Sequence, residues 1–275
     1  MASMKVCRGG TRRALWLVAV LLLPLLGAAC SNSDKDTYVE EPPETLYNQG
    51  LAEMANGDHL KAAKSFDEVD RQHPYSSYAT QAQLMSAYAY YLDNKYDDAI
   101  TALDRFIQLH PGNPDAAYAY YLKGLSYYEQ IVDVGRDQKV TEDALTSLQE
   151  VVTRFPNTAY ARDARLKVDL ARDHLAGKEM AIGRYYLDRQ QYLAAINRFR
   201  RVIEQYQTTS QVPEALERLT ECYLALGVHS EAQAAAAVLG YNFPGSEWYQ
   251  DSYDLLAARN LKPQEDENSW LYKIF

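Results

Sequence analysis

Small and apolar positions recur along this chain at a fixed spacing that predicts paired helices. An Ala is followed four positions later by an apolar residue and usually, twelve positions later, by a Pro. The five instances are Ala62, Phe66, Pro74; Ala99, Leu103, Pro111; Ala144, Leu148, Pro156; Ala195, Phe199, Gln207; and Ala232, Ala236, Pro244. A small Ala lets two antiparallel helices approach closely, and Pro ends a helix because it has no backbone N–H to donate. The spacing therefore predicts an all-α chain of five helix-turn-helix units.

These units resemble tetratricopeptide repeats, which implies a solenoid of about five stacked repeats. Residues 131–139 predict an enlarged loop inside the third repeat, and residues 158–192, which lack Pro, predict one unusually long helix. We therefore expect an N-terminal half of three repeats at 44–157. The long connecting helix and two further repeats follow at 158–248, and a C-terminal helix or tail occupies 249–275.

The N terminus has the pattern of an export signal. Four basic residues precede an apolar run from Ala14 to Leu26, which is too short to span a bilayer comfortably. Small residues before Cys30 resemble a lipoprotein signal, which implies removal of residues 1–29 and acylation of Cys30. Because Leu26 stands four residues before Cys30 rather than the usual three, an ordinary secretory peptide cleaved nearby is the alternative. By the same resemblance, Ser31 favours the outer membrane.

Charge and composition describe how the processed chain would meet a membrane. Residues 30–43 are polar, acidic and proline-containing, and predict an extended tether. Without residues 1–29 the chain has 24 basic and 37 acidic residues, a formal net charge of −13. This charge argues against nucleic acid as a partner and gives no attraction to anionic lipid. Membrane attachment is therefore expected through the acyl chains on Cys30.

Patterns for catalysis and metal binding are not found in the sequence. It contains no glycine-rich phosphate loop, no His-Glu metal helix and no nucleophile elbow. His73 and His110 precede equivalent prolines, which favours a role at helix ends over metal ligation. Cys222 has no partner in the processed chain and is expected to be a buried structural thiol. We expect no enzyme activity, no metal and no cofactor.

Tyrosine is unusually frequent, with 23 residues against six Phe and three Trp. In tetratricopeptide repeats the first helix of each unit lines the concave face, and six tyrosines align there. They are Tyr47, Tyr88, Tyr91, Tyr118, Tyr121 and Tyr128. Such a groove suits extended or helical peptides, because the ring supplies apolar contact while the hydroxyl stays hydrated. The alternative is that single rings pack between neighbouring helices.

Local motifs distributed along nearly the whole chain together resemble the BamD family, also called ComL. They are Tyr47-Asn48-Gln49-Gly50, His73-Pro74-Tyr75-Ser76, Phe155-Pro156-Asn157-Thr158, Gly183-Arg184-Tyr185-Tyr186 and Ala194-Ala195-Ile196-Asn197-Arg198-Phe199. The resemblance implies a non-catalytic lipoprotein of the β-barrel assembly machinery, on the periplasmic face of the outer membrane. Its implied partners are the BamA periplasmic domain, other assembly-machinery lipoproteins and unfolded outer-membrane β-barrel proteins. A periplasmic repeat lipoprotein that regulates cell-wall synthesis or division is the alternative.

Two further features concern partners. Arg198 lies within the last motif and is the candidate contact to BamA. The alternative is a solvated basic stripe in which Arg200 and Arg201 are balanced by Glu204. The tail ends in an apolar cluster, residues 270–275, which would be unusual if left free in water. It caps the last repeat or docks on a partner, and capping is favoured because a terminal repeat otherwise leaves apolar surface bare.

Overall fold

The computed structural model describes residues 40–275, so the export signal, Cys30 and most of the tether lie outside the described residues. Within 40–275 there are eleven α-helices, a short 3-10 helix and no strand, which confirms the all-α prediction. In chain order the helices are α1 Pro43–Ala55, α2 His59–Gln72, α3 Ala79–Leu92, α4 Tyr96–Leu109, α5 Ala116–Tyr128, α6 Lys139–Arg154, α7 Ala159–Asp188, α8 Tyr192–Gln205, α9 Val212–Ala225, α10 His229–Asn242 and α11 Glu247–Ala257. The 3-10 helix is Leu271–Lys273.

Each Ala of the repeating pattern is buried where the two helices of a pair meet. All five, and the apolar residue four positions after each, are 0 % exposed. Opposite the large apolar residue, the first helix of three pairs carries Gly. A Cβ added to Gly50 would lie 2.6 Å from Cε1 of Phe66, and one on Gly124 would lie 2.7 Å from Cδ2 of Leu148. The missing side chain lets the two backbones approach closely, as the sequence pattern predicts.

The second helix of a repeat ends in the same way whether or not Pro follows it. The residue after the helix has φ near −130° at His73, His110, Phe155, Tyr206 and Phe243. Only Tyr206 is followed by Gln rather than Pro. There the Thr209 hydroxyl donates to the Tyr206 carbonyl at 2.8 Å, as Thr158 does to Phe155. A hydroxyl bond to the helix end is therefore present at one turn with the proline and at the one turn without it.

The turn between paired helices needs a left-handed residue in four of the repeats. Gly57 (φ 80°) and Gly227 (φ 78°) fill this position without strain, while Asn94 and Gln190 hold φ of 59°. The third repeat has instead the enlarged loop predicted from the sequence, between α5 and α6. Lys178 Nζ on α7 donates to the carbonyls of Gly135 and Arg136, at 3.0 and 3.2 Å, and fastens this loop to the long helix.

The long helix α7 has 30 residues and, at 1.5 Å per residue, extends about 45 Å. The Thr158 hydroxyl caps its first turn by accepting from the backbone N–H of Ala161 at 3.1 Å. Ala164 and Val168 share a core with Leu148 of α6, while Met180 belongs to a separate core cluster with Phe199 of α8. The predicted long helix is confirmed. It ends at Asp188, before the predicted end at residue 192, because Gln190 adopts the left-handed backbone conformation of the following turn.

The two ends of the described chain fold back on their neighbours. Residues 41–275 form one compact unit. The backbone N–H of Glu41 donates to Gln72 Oε1 at 2.9 Å, and Pro43 is already the first residue of α1, so ordered structure starts slightly before the expected end of the tether. In the tail, Leu271 is fully buried, and Trp270 Nε1 donates to the Tyr223 hydroxyl at 3.1 Å. The tail therefore caps the last repeat, which is the alternative that the sequence analysis favoured over docking on a partner.

Candidate peptide groove and partner interface

Five of the six predicted groove tyrosines lie on the first helices of the second and third repeats. Tyr88 and Tyr91 are on α3, and the other three are on α5. The rings form a connected row: centroids of Tyr88 and Tyr118 are 6.4 Å apart, those of Tyr118 and Tyr160 5.6 Å, and those of Tyr121 and Tyr160 5.3 Å. Tyr160, on α7, was missed because the long helix was interpreted only as a connector. Its place at the start of a first helix was the available signal.

Carboxylates and one cation hold these rings in place. The Tyr91 hydroxyl donates to Glu129 at 3.5 Å, and the Tyr121 hydroxyl donates to Asp163 on α7. Lys167 Nζ pairs with Asp163 at 3.0 Å and lies 5.5 Å from the centre of the Tyr128 ring. Tyr91, Tyr121 and Tyr128 are thereby oriented by charged side chains, so these three rings are positioned before any ligand arrives.

Three of the candidate groove tyrosines, Tyr91, Tyr118 and Tyr121, have raised pKa values and are uncharged at neutral pH. Burial, helped by the Glu129 carboxylate, raises the pKa of Tyr91 to about 12. Burial is also the main reason why the pKa values of Tyr118 and Tyr121 are raised. The hydrogen bond from Tyr121 lowers the pKa of Asp163, so that carboxyl group stays ionised.

The helices beneath the groove carry almost no charge. Helix α3 has no charged residue, and α5 has only Lys123, which pairs with Asp104 at 2.5 Å. A ligand lying on α3 and α5 would therefore meet aromatic rings, hydroxyls and small residues rather than fixed charges. Such a surface favours apolar or weakly polar segments over highly charged ones.

Tyr47 does not belong to this surface and corrects the sequence prediction. It is 8 % exposed, with its ring centroid 5.4 Å from those of both Phe66 and Tyr78. Burial raises the pKa of its hydroxyl. The ring occupies the core between α1, α2 and α3, as the alternative interpretation of a single tyrosine allowed, because at this position the repeat turns the side chain inward.

Arg198 has an internal partner that the sequence did not indicate. Its Nη1 lies 3.1 Å from Glu179 on α7, and Arg201 reaches the other oxygen of the same carboxylate at 2.8 Å. Arg200 pairs with Glu204 at 2.9 Å, as the alternative of a balanced stripe required. The Arg198 side chain remains 32 % exposed. The Arg198 guanidinium is therefore paired within the chain and still partly accessible. Its contact with a partner stays a prediction.

The remaining chemically notable residues have structural surroundings. Cys222 is buried, as predicted, and burial raises the pKa of its thiol to about 12, which disfavours the reactive thiolate. His73 and His110 immediately follow α2 and α4, where His110 Nε2 lies 2.9 Å from Gln83 Oε1. Over residues 40–275 no group of three His, Cys, Asp or Glu side chains is placed to hold a metal ion. No helix in this range is long and apolar enough to cross a membrane.

The stacked helix pairs and the aromatic row define a tetratricopeptide-repeat protein with a candidate peptide groove. A family model described as YfiO, outer membrane lipoprotein, matches residues 39–239, and the chain belongs to this family. Among similar curated proteins, the outer membrane protein assembly factor BamD of Caulobacter vibrioides is 53 % identical over 92 % of this chain and 83 % of its own length. The BamD of Rickettsia prowazekii is 48 % identical over 87 % of this chain and 96 % of its own.

Solved structures of helical-repeat proteins are also similar to this chain. The tetratricopeptide-repeat domain of P58(IPK) matches 96 % of this chain and 68 % of its own with a TM-score of 0.41 and 12 % identity. The TPR2AB domain of yeast Sti1, solved in a complex with pHSP90, matches 79 % of this chain and 84 % of its own with a TM-score of 0.40 and 13 % identity.

Proposed function

We propose that this chain is an outer membrane protein assembly factor, a non-catalytic subunit of the machinery that folds β-barrel proteins into the outer membrane. The similarity to BamD proteins, at 53 % and 48 % identity over most of the chain, is the observation that carries this proposal. The names of these relatives support the assembly role and not the regulation of cell-wall synthesis or division.

In this proposal the protein has two working surfaces and an anchor. The tyrosine row on α3, α5 and α7 receives segments of unfolded outer-membrane β-barrel proteins. The C-terminal repeats, with Arg198, contact the BamA periplasmic domain and thereby join the other assembly-machinery lipoproteins. Acyl chains on Cys30 hold the protein at the periplasmic face of the outer membrane. Support for the first surface comes from the low charge of α3 and α5 and from the contacts between the tyrosine rings.

The decisive experiment is purification of the intact protein from its native membrane in a gentle detergent, followed by identification of whatever co-purifies in fixed proportion. Recovery of an outer-membrane barrel protein with periplasmic domains is expected. Recovery of cell-wall enzymes alone would overturn the proposal. A Cys30→Ala variant should lose the acyl mass and appear in the soluble periplasmic fraction.

The groove is tested by replacing Tyr88, Tyr91 and Tyr121 with Ala together. Binding of peptides from unfolded barrel proteins should weaken about tenfold, because aromatic contacts dominate such surfaces. Fluorescence anisotropy with labelled peptides measures the affinity, and circular dichroism checks the fold. Tyr75→Ala and Tyr241→Ala are matched controls, because these rings are 100 % and 83 % exposed and lie outside the groove. Unchanged affinity in a folded triple variant would refute the groove.

The partner interface is tested with a pair of arginines that share one carboxylate. Arg198→Gln should weaken association with BamA about tenfold while leaving peptide affinity unchanged, because the two surfaces lie on different repeats. Arg201→Gln is the control, since it removes the other bond to Glu179. Equal losses from both substitutions would mean that only the pairing with Glu179 matters, and Arg198 would then have no contact of its own.

A further inference from the structure

Two leucines on the long helix are exposed to a degree that packing does not explain. Leu166 is 65 % exposed and Leu170 is 58 % exposed. Other residues on the same turns of α7, such as Ala164 and Val168, are buried. A residue four positions further along a helix lies on the same face, so the two side chains are adjacent. An exposed aliphatic pair on a repeat helix is a candidate contact surface.

This pair lies on the same face of α7 as the residues that hold the tyrosine row. Asp163, three positions before Leu166, accepts from Tyr121, and Lys167, three positions before Leu170, covers Tyr128. Residues spaced by three, four and seven positions share a helix face. The face of α7 that meets the tyrosines therefore continues directly into the two leucines.

A shallow cavity joins Leu170, one turn after Leu166, to the enlarged loop. It has a volume of about 400 Å³ and is lined by Tyr128, Ile131, Val132, Leu170 and His174, together with Glu129 and Asp133. Val132 is itself 42 % exposed, and Nε2 of His174 is buried without a hydrogen-bond partner. Tyr128 lines the cavity and lies beneath Lys167, which pairs with the Asp163 that accepts from Tyr121, so the cavity adjoins the tyrosine row.

The chemistry of this end differs from that of the tyrosine row. Its apolar lining is largely aliphatic, and the two carboxylates at its rim, Glu129 and Asp133, would repel an acidic ligand. An uncharged segment carrying bulky apolar side chains at alternate positions, as in a strand of a transmembrane barrel, fits both the rings and this aliphatic end.

We propose that Leu166, Leu170 and Val132 form an aliphatic subsite that takes an apolar side chain near one end of the barrel segment held by the tyrosine row. The inference rests on the proposed function, because it assigns the occupant of the same groove. The enlarged loop then has a role: it carries Val132 to the helix and closes one side of the subsite.

The test uses labelled 14-residue peptides with Phe, Leu or Val at alternate positions and Ser or Thr between them. In a second peptide the apolar residues nearest both ends are replaced by Ser. Leu170→Ser should weaken binding of the first peptide about fivefold and leave the second unchanged, because only the first fills the subsite. Val132→Ser, in the loop rather than the helix, should act in the same direction.

Leu193→Ser is the matched control, because Leu193 is 69 % exposed on α8 and outside the groove. Equal effects of Leu170→Ser on both peptides, or no effect on either, would overturn the subsite while leaving the groove intact. If the unmodified protein binds neither these peptides nor an unfolded barrel protein, the proposed substrate-binding role itself fails. The two failures are therefore distinguishable.

Discussion

Burial separates residues of the same type into different roles in this protein. Tyr47 and Tyr88 both belong to first helices, yet Tyr47 fills the core beside Phe66 whereas Tyr88 joins the row on the groove. Repeat phase placed both on one predicted face, and only neighbouring helices decided which ring was covered. A residue's function here therefore depends on what packs over it as much as on its type.

Glu217 on α9 is a buried carboxyl group with a raised pKa. It is 3 % exposed, and although Arg218 Nε lies 3.2 Å from its Oε2, the geometry leaves both atoms without a hydrogen bond. Burial raises the pKa of Glu217 to about 7 against the attraction of Arg218. Glu214 and Glu221 on the same helix and Asp251 on α11 add to the rise.

We predict that Glu217 makes the protein less stable as pH rises through weakly acidic values. Between the ordinary glutamate pKa of 4.5 and about 7, the folded state keeps this proton while the unfolded state loses it, so the free energy of unfolding falls with pH. Relative to Glu217→Gln, the wild type should lose on the order of 1–3 kcal/mol across this window. Urea unfolding at about pH 5 and pH 8 measures the difference.

Glu204→Gln is the control for this pH effect. Glu204 forms an exposed pair with Arg200, and such pairs contribute little to stability. Its substitution should leave the change of stability with pH as in the wild type. The same slope in the Glu217→Gln variant would contradict the assignment to Glu217.

At the scale of the element, the long helix shows how a glycine can be required or merely tolerated. Gly183 lies against the Phe199 ring, and an added Cβ would overlap ring carbons, one of them at 2.8 Å. Gly177, six residues earlier in the same helix, would place a Cβ 3.6 Å from Val134, an ordinary contact. The two positions thus differ only in what the neighbouring segment brings to them.

Gly183→Ala should destabilise the protein by about 1–3 kcal/mol, because Phe199 is fully buried and has no space to move. Gly177→Ala should instead stabilise it by about 0.5–1 kcal/mol, because Ala costs less backbone entropy in a helix. Chemical denaturation of both variants is the measurement. A loss of stability in both would show that glycine is needed throughout α7 for another reason.

At the scale of the whole molecule, the solenoid is finished by its own tail. Helix α11 and the residues after it cover the last repeat, where Leu271 enters the core formed by α8, α9 and α10. The Arg200 guanidinium lies 4.3 Å from the centre of the Trp270 ring, and the Ser269 hydroxyl donates to Glu231 at 2.8 Å. The apolar edge that a terminal repeat would expose is thereby covered.

Leu271→Ala should lower the free energy of unfolding by about 2–5 kcal/mol, as expected for a large-to-small change at a fully buried position. The neighbouring Tyr272→Ala should change it by less than about 0.5 kcal/mol, because Tyr272 is 55 % exposed. Thermal unfolding of the two variants tests whether the tail is part of the folded unit. Equal, small effects would indicate that the cap contributes nothing to stability.

The sequence by itself determined the helix pairs, their number and the long helix. The helix pairs follow from spacings of four and twelve residues, and the long helix follows from the lack of Pro over residues 158–192, because local sequence decides close helix contacts and helix ends. The candidate groove was also predicted on the first helices of the repeats, and five of its six tyrosines lie on α3 and α5, whereas Tyr47 is buried in the core. The motifs were sufficient to indicate the family.

Only the tertiary structure decided which of the candidate contact residues are accessible to a ligand or a partner. Arg198 is held by Glu179, 19 residues away, and Tyr47 is covered by Phe66 and Tyr78, while the tail returns to Tyr223, 47 residues before Trp270. The exposure of Leu166 and Leu170 on α7 likewise depends on which helices pack against that face. Such contacts depend on the distance and direction between separate helices, which the periodicity within any one helix does not specify.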